Sequence, residues 1–138
     1  LKDFETKGIE LALKLPNEDI FIEADEKAIY RILQNLIANS LKYGEGGKVI
    51  GASLSEETHD IVIEIWDEGK GIPEEDIPYI FKRLYAVDKS RNSNLKGSGL
   101  GLTIVKKLVE KHSGTIEVSS KPYEKTVFKV RLPKKYKS

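Results

Sequence analysis

Asp60-Ile61-Val62-Ile63-Glu64-Ile65-Trp66 is a nearly unbroken apolar run, and it passes straight into Asp67-Glu68-Gly69-Lys70-Gly71-Ile72-Pro73. The first half has the length and β-branched content of a buried strand. The second half is a loop in which two glycines free the backbone to approach whatever lies opposite. A carboxylate at such a strand end suits an amino group on a flat ligand such as adenine, because a buried acceptor seeks a donor. Taken alone, Asp67 reads first as the start of an ordinary glycine-rich turn.

Working outward, Lys48 to Leu54 is a second strand, joined to the first by the polar turn Ser55-Glu56-Glu57-Thr58-His59. Before it, Asp25 is placed to cap a long helix running to about Tyr43, with Ile29, Ile32, Leu33, Leu36, Ile37 and Ser40 as its inward stripe. Gly44 and the Gly46-Gly47 pair end that helix. Ile9, Leu11, Leu13 and Leu15 alternate with polar or small residues as a half-buried strand does, and after the turn at Pro16 to Asp19, Ile20 to Glu23 is expected to form a second short one. Downstream, Pro73 fits the first turn of a short helix from Glu74 to about Tyr79. Residues 82–98 hold few apolar side chains, and so long a stretch without periodicity reads as a functional lid. A helix is expected from about Leu100 to His112, with Gly114 as its left-handed cap. Thr115 to Ser119 and Thr126 to Leu132 close the chain as a hairpin, stopped by Pro133. This order predicts an α+β fold: a two-layer α/β sandwich, helices on one face of a mixed, mostly antiparallel sheet.

Composition excludes several classes of function. At 138 residues the chain is one domain, and 23 basic against 22 acidic residues leave a net charge of +1. A dedicated nucleic-acid or membrane-surface binder would carry a basic excess. The absence of Cys removes disulfides, thiolate zinc sites and cysteine nucleophiles together. No apolar run reaches the roughly 18–20 residues of a membrane span. Met is also absent and the chain starts at Leu1, so it is expected to be a piece of something longer.

Three groups of residues carry chemistry. Each helical residue advances about 100°, so Asn39 lies at about 40° from Asn35 and Lys42 at about −20°, apart from the core stripe near 100–160°. Amide carbonyls suit Mg²⁺ and a lysine one turn away suits phosphate, although a polar helix flank reads equally well from spacing alone. Gly97-Ser98-Gly99-Leu100-Gly101-Leu102 opens a helix whose first N–H groups and dipole suit an anion. It is neither a Rossmann fingerprint, since Leu102 stands where the last Gly belongs, nor a Walker loop. His59, in a hairpin turn, and His112, at a helix C-terminus whose dipole suits its partial charge, read as structural.

Taken in order, these segments resemble the catalytic, ATP-binding domain of bacterial sensor histidine kinases, within the superfamily that includes DNA gyrase, MutL and the chaperone ATPases. The resemblance runs from about Gly8 to Pro133. Asn35-Leu36-Ile37-Ala38-Asn39-Ser40-Leu41-Lys42-Tyr43 resembles the asparagine box and Asp67 to Pro73 the first glycine box. Ile80-Phe81-Lys82-Arg83-Leu84-Tyr85 resembles the phenylalanine box, and Gly97 to Leu102 the second glycine box. The resemblance implies that Asn39 holds Mg²⁺ bridging the triphosphate, with Asn35 supporting that shell and Lys42 on phosphate. It implies that Tyr43 borders the nucleotide, that Asp67 takes the adenine amino group, and that Gly69 and Gly71 let the loop approach the base. Gly97, Gly99 and Gly101 would anchor a mobile ATP lid. Ile72, Phe81, Ser98, Leu100, Leu102 and Thr126 complete the implied nucleotide site.

The ATPase branches carry Glu at the position of Asn35, and an amide cannot take a proton from water at neutral pH. Transfer to a protein side chain is therefore expected, and Asn35 and Lys42 are its expected catalytic residues. The acceptor histidine, by resemblance, belongs to a separate dimerisation domain that this chain lacks, with a response regulator receiving the phosphoryl group next. The resemblance further implies a cytoplasmic domain of a homodimeric, membrane-anchored sensor, itself monomeric and without nucleic-acid partners. A regulatory nucleotide-binding module, or an ATP-hydrolysing or serine-kinase relative, is the alternative. Three positions depart from the family pattern: Ala86 where Arg often follows Tyr, Leu84 for a second Phe, and Lys125 where Gly often precedes Thr126.

Overall fold

The computed structural model describes residues 9–43, 48–82 and 101–135. Its strands are β1 (Glu10–Lys14), β2 (Val49–Glu56), β3 (Asp60–Asp67), β4 (Thr115–Lys121) and β5 (Lys125–Pro133); its helices are α1 (Glu26–Tyr43) and α2 (Gly101–Lys111), with a 3₁₀ helix at Glu74–Tyr79. The strands form one sheet in the order β1-β2-β3-β5-β4. β1 and β2 are parallel, which their joining by a helical crossover requires, and every other pair is antiparallel. The apolar run at 60–66 is thus the central strand, and it is buried because neighbours flank it on both sides.

Both helices lie on one face of the sheet. Ile32 and Leu36 of α1 and Val105 and Val109 of α2 pack on Ile61, Ile63 and Ile65 of β3 and on Phe128, Val130 and Leu132 of β5. The pleat sends alternate residues to opposite faces. Trp66 therefore lies on the far face, over Gly51 of β2; a Cβ on Gly51 would overlap its ring, so only glycine fits there.

Asp25 caps α1 as the sequence predicts. Its Oδ1 accepts from the N–H groups of Lys27 (3.0 Å) and Ala28 (3.4 Å). His112 is structural, as the sequence suggests. Its Nδ1 donates to the Leu108 carbonyl (2.9 Å) and its Nε2 accepts from the Asp25 N–H (3.2 Å). The ring thus ties the end of α2 to the start of α1.

Four other expectations need correction. Ile20 to Glu23 is not a strand: Ile20 and Ile22 pack against the core, and the Glu23 N–H donates to Lys134 (2.7 Å) as the chain heads into α1. The left-handed cap of α2 is Ser113 (φ 60°), not Gly114. The Ser113 N–H bonds the Glu110 carbonyl and the Gly114 N–H the Val109 carbonyl, both at 2.9 Å, which is a Schellman closure with Ser113 at its turning point. Gly114 is instead required by space, since a Cβ there would collide with the Arg131 carbonyl oxygen. Pro73 stands just before the 3₁₀ helix with extended ψ (140°), and Pro133 is the last residue of β5, opposite Asp60, rather than a stop beyond it. The segment expected to be a lid lies, beyond Lys82, outside the described residues.

Candidate functional site

β3 delivers Asp67 to the helix-covered face. Its cross-strand neighbours are Ile50 of β2 and Thr126 of β5, and both Asp67 and Thr126 are 2% exposed. The Asp67 Oδ1 accepts from the Gly69 N–H (2.9 Å), which starts the glycine loop as an Asx turn. From α1 above, fully buried Ser40 brings its hydroxyl beside the carboxylate without completing a hydrogen bond of good geometry. Burial pushes the Asp67 carboxyl above the usual carboxylate range, while the Gly69 N–H and then the Ser40 hydroxyl draw it back.

The loop after Asp67 is pinned to the β4–β5 hairpin. Ser120, opposite Thr126 in that hairpin, accepts from the Ile72 N–H (3.0 Å) and shares a short hydrogen bond with the Thr126 hydroxyl (2.6 Å). The Tyr123 N–H donates to the Gly69 carbonyl (2.8 Å). Gly71 has φ +79°, and a Cβ there would lie 2.8 Å from Ser120 Oγ and 3.0 Å from Pro122 Cα. Both the backbone conformation and the close approach thus demand glycine. Ile72 drops into the core at 2% exposure, so the loop is held at both ends.

On the neighbouring side of α1, Asn35, Asn39 and Lys42 are half-buried. Among the described residues the buried Asn35 Nδ2 has no hydrogen-bond partner, and Gly101, the first residue of α2, begins beside the same amide, a Cβ there lying 3.8 Å from Asn35 Oδ1. The orphan amide therefore sits next to a helix N-terminus whose first N–H groups lack intrahelical acceptors. Phe81 is held in place at this end. Its ring meets Phe128 edge-on (6.5 Å, 87°), its carbonyl accepts from Thr103 Oγ1 (2.9 Å), and Lys106 Nζ lies 5.6 Å from the ring. Leu102 packs on the core.

Two groups of predicted residues therefore come together: Asp67, Gly69, Gly71, Ile72 and Thr126 around the loop, and Asn35 with Gly101 between the helices. Gly97, Ser98, Gly99 and Leu100 lie outside the described residues, as do Leu84, Ala86 and the side chain of Tyr43. Among the described residues, no three His, Cys, Asp or Glu side chains cluster as a metal site would. Sequence reasoning counted Ser40 only as core and passed over Ser120. The signal for Ser40 was a lone hydroxyl in an aliphatic stripe; for Ser120 it was a second hydroxyl facing Thr126 across the hairpin turn.

The fold and the family are shared with known proteins. A family profile described as "Histidine kinase-, DNA gyrase B-, and HSP90-like ATPase" matches residues 24–136. The chain is 48% identical over 128 residues to sensor histidine kinase YcbM of Bacillus subtilis, covering 93% of this chain and 41% of that protein. Among solved structures it resembles the nucleotide-free catalytic domain of histidine kinase ThkA, with TM-score 0.82, 28% identity, and coverage of 97% of this chain and 86% of that one. It also resembles full-length ShkA, solved with AMPPNP, with TM-score 0.84, 25% identity, and coverage of 99% and 28%. The chain thus spans less than half the length of the curated relative.

Proposed function

The chain belongs to the histidine kinase-, DNA gyrase B- and HSP90-like ATPase family, and from that premise we propose that it is the Mg-ATP-binding catalytic domain of a sensor histidine kinase. The observation that carries this reading is the buried Asp67 carboxylate at the end of β3, set beside Ser40 of α1 and the first glycine of the loop. A carboxylate sealed from water this way needs a donor, and the exocyclic amine of adenine is one. Thr126 and Ser120 hold the wall behind the base, and Gly69 and Gly71 bring backbone close to its plane.

The triphosphate would lie toward the Asn35–Gly101 contact, where the orphan Nδ2 offers an N–H donor and the α2 N-terminus adds its dipole. Mg²⁺ accepts one or two protein oxygens together with phosphates and water, so the Asn39 carbonyl is a sufficient protein ligand. The bound ion would neutralise charge on the transferring phosphoryl group. Lys42, one turn further along the same face, is assigned to phosphate. These groups position and stabilise; none is a base for water, because the position facing the phosphates is the amide of Asn35. A histidine on a dimerisation domain is the proposed acceptor and a response regulator receiver the next partner, in a membrane-anchored homodimer of which this chain is the cytoplasmic ATP-binding part.

The test is incubation with γ-labelled ATP and a separate fragment carrying the acceptor hairpin. Acid-labile label on that fragment is expected. ATP bound without transfer would make the chain a regulatory module, and sustained phosphate release lost in Asn35→Ala would make it an ATPase.

A further inference from the structure

Ser40 has the buried residues' full enclosure and none of their apolar character. It sits at 0% exposure in α1 on the stripe of Ile32 and Leu36, and its Oγ completes no hydrogen bond among the described residues. Leaving a buried hydroxyl unpaired costs more than an alanine in the same place, and alanine is also the better helix former. The hydroxyl's neighbour is the Asp67 carboxylate, which already accepts from the Gly69 N–H through Oδ1.

We propose that Ser40 is the positioning residue that sets base selectivity, its hydroxyl donating to Asp67 once a nucleotide is bound and so keeping that side chain an acceptor only. This inference rests on the assignment of the pocket to ATP. An ionised carboxylate accepts from the amino group of adenine, whereas guanine presents a carbonyl oxygen at the same edge and two acceptors oppose each other. A protonated carboxyl would instead donate to that carbonyl, and guanine would be admitted. The charged groups bearing on this point are few. Thr126 and Ser120 beyond Asp67 are neutral hydroxyls, and Ile50 across β2 is apolar, so no described cation contributes to holding the carboxylate charged. The N–H of Gly69 does so through its bond to Oδ1, and the hydroxyl of Ser40 is the neighbouring donor able to join it.

Calorimetric titration of the 138-residue chain with Mg-ATP and Mg-GTP across pH tests this. Ser40→Ala is expected to bind ATP about tenfold more weakly, the worth of one hydrogen bond, with GTP unchanged or tighter. The acid limb of its ATP-binding profile should move to higher pH, because the carboxyl has lost a group that favours its ionised form. Melting without nucleotide should not fall, since the change removes an unpaired hydroxyl; Ser40→Cys, which keeps the volume with a weak donor, should lie between the two. An unaltered ATP:GTP ratio and pH profile in Ser40→Ala, with ATP binding lost in Asp67→Asn, overturns the role of Ser40. Unaltered ATP binding in Asp67→Asn as well overturns the nucleotide pocket itself.

Discussion

The end of α2 gives two neighbouring positions at which changes of opposite chemistry should have opposite effects. Ser113 occupies the left-handed region (φ 60°), a conformation that costs an L-residue about 1–2 kcal/mol. Replacing it with glycine removes that cost and loses about 0.5–1 kcal/mol to the greater freedom of the unfolded chain, for a net gain of about 0.5–1 kcal/mol. The serine side chain is exposed, so its own polar contacts count little against water. At Gly114 a new methyl would overlap the Arg131 carbonyl and lie 2.7 Å from Leu132 Cδ2 and 3.2 Å from Val109 Cγ1. That carbonyl belongs to a strand paired on both sides, with Val62 and Thr115, so it cannot retreat. Overpacking of this kind costs about 1–3 kcal/mol. For 138 residues each kcal/mol is worth about 3 °C of melting temperature. Thermal melts followed by circular dichroism should therefore show Ser113→Gly raised by about 2–3 °C and Gly114→Ala lowered by about 3–9 °C. A fall in Ser113→Gly would refute the reasoning, because it is what a helical Ser113 and a left-handed Gly114 would give.

Burial raises the Asp67 pKa, so the native chain holds that proton to higher pH than the unfolded one, and stability is lost as pH rises through the raised value. Ligand-free Asp67→Asn should thus resist denaturant better than the parent at neutral pH, with the gain vanishing in acid, while its ATP binding is lost; equal gains at both pH values would contradict this. Gly51→Ala should destabilise by about 1–3 kcal/mol in urea titration, since its methyl would overlap the Trp66 ring; a neutral result would mean that the ring moves aside. His112→Ala removes the acceptor of the Asp25 N–H and should cost about 1–3 kcal/mol in the same titration, with His112→Gln retaining part of it.

What could be read without coordinates was whatever local pattern determines. The stripe on α1 and the alternation of β5 follow from periods of 3.6 and 2, and Asp25 declares itself as a cap by type and place. The family was legible because the order and spacing of its boxes are distinctive. Nothing local distinguishes the two turning positions at 113 and 114, since the nearest atom that demands glycine at 114 is the carbonyl of distant Arg131. Ile20 to Glu23 has strand composition, but its fate depends on where β1 leaves the chain and on the pull of the core beneath α1. Ser40 was assigned to the right face for an incomplete reason: periodicity reports that a side chain points inward, not that a carboxylate from another element waits there.

The pleat of β3 has an optical consequence. Trp66 and Asp67 are adjacent in sequence yet on opposite faces of the sheet, and Trp66 is the sole tryptophan. Its indole is nearly sealed, resting over Gly51 with the ammonium groups of Lys14 and Lys125 at 5.7 and 4.9 Å from the ring centre. A ligand at Asp67 cannot touch that ring, but any twist it imposes on the strand must turn the indole relative to those two charges. The emission of this one fluorophore is therefore a built-in gauge of backbone movement at the carboxylate, read from the opposite side of the sheet.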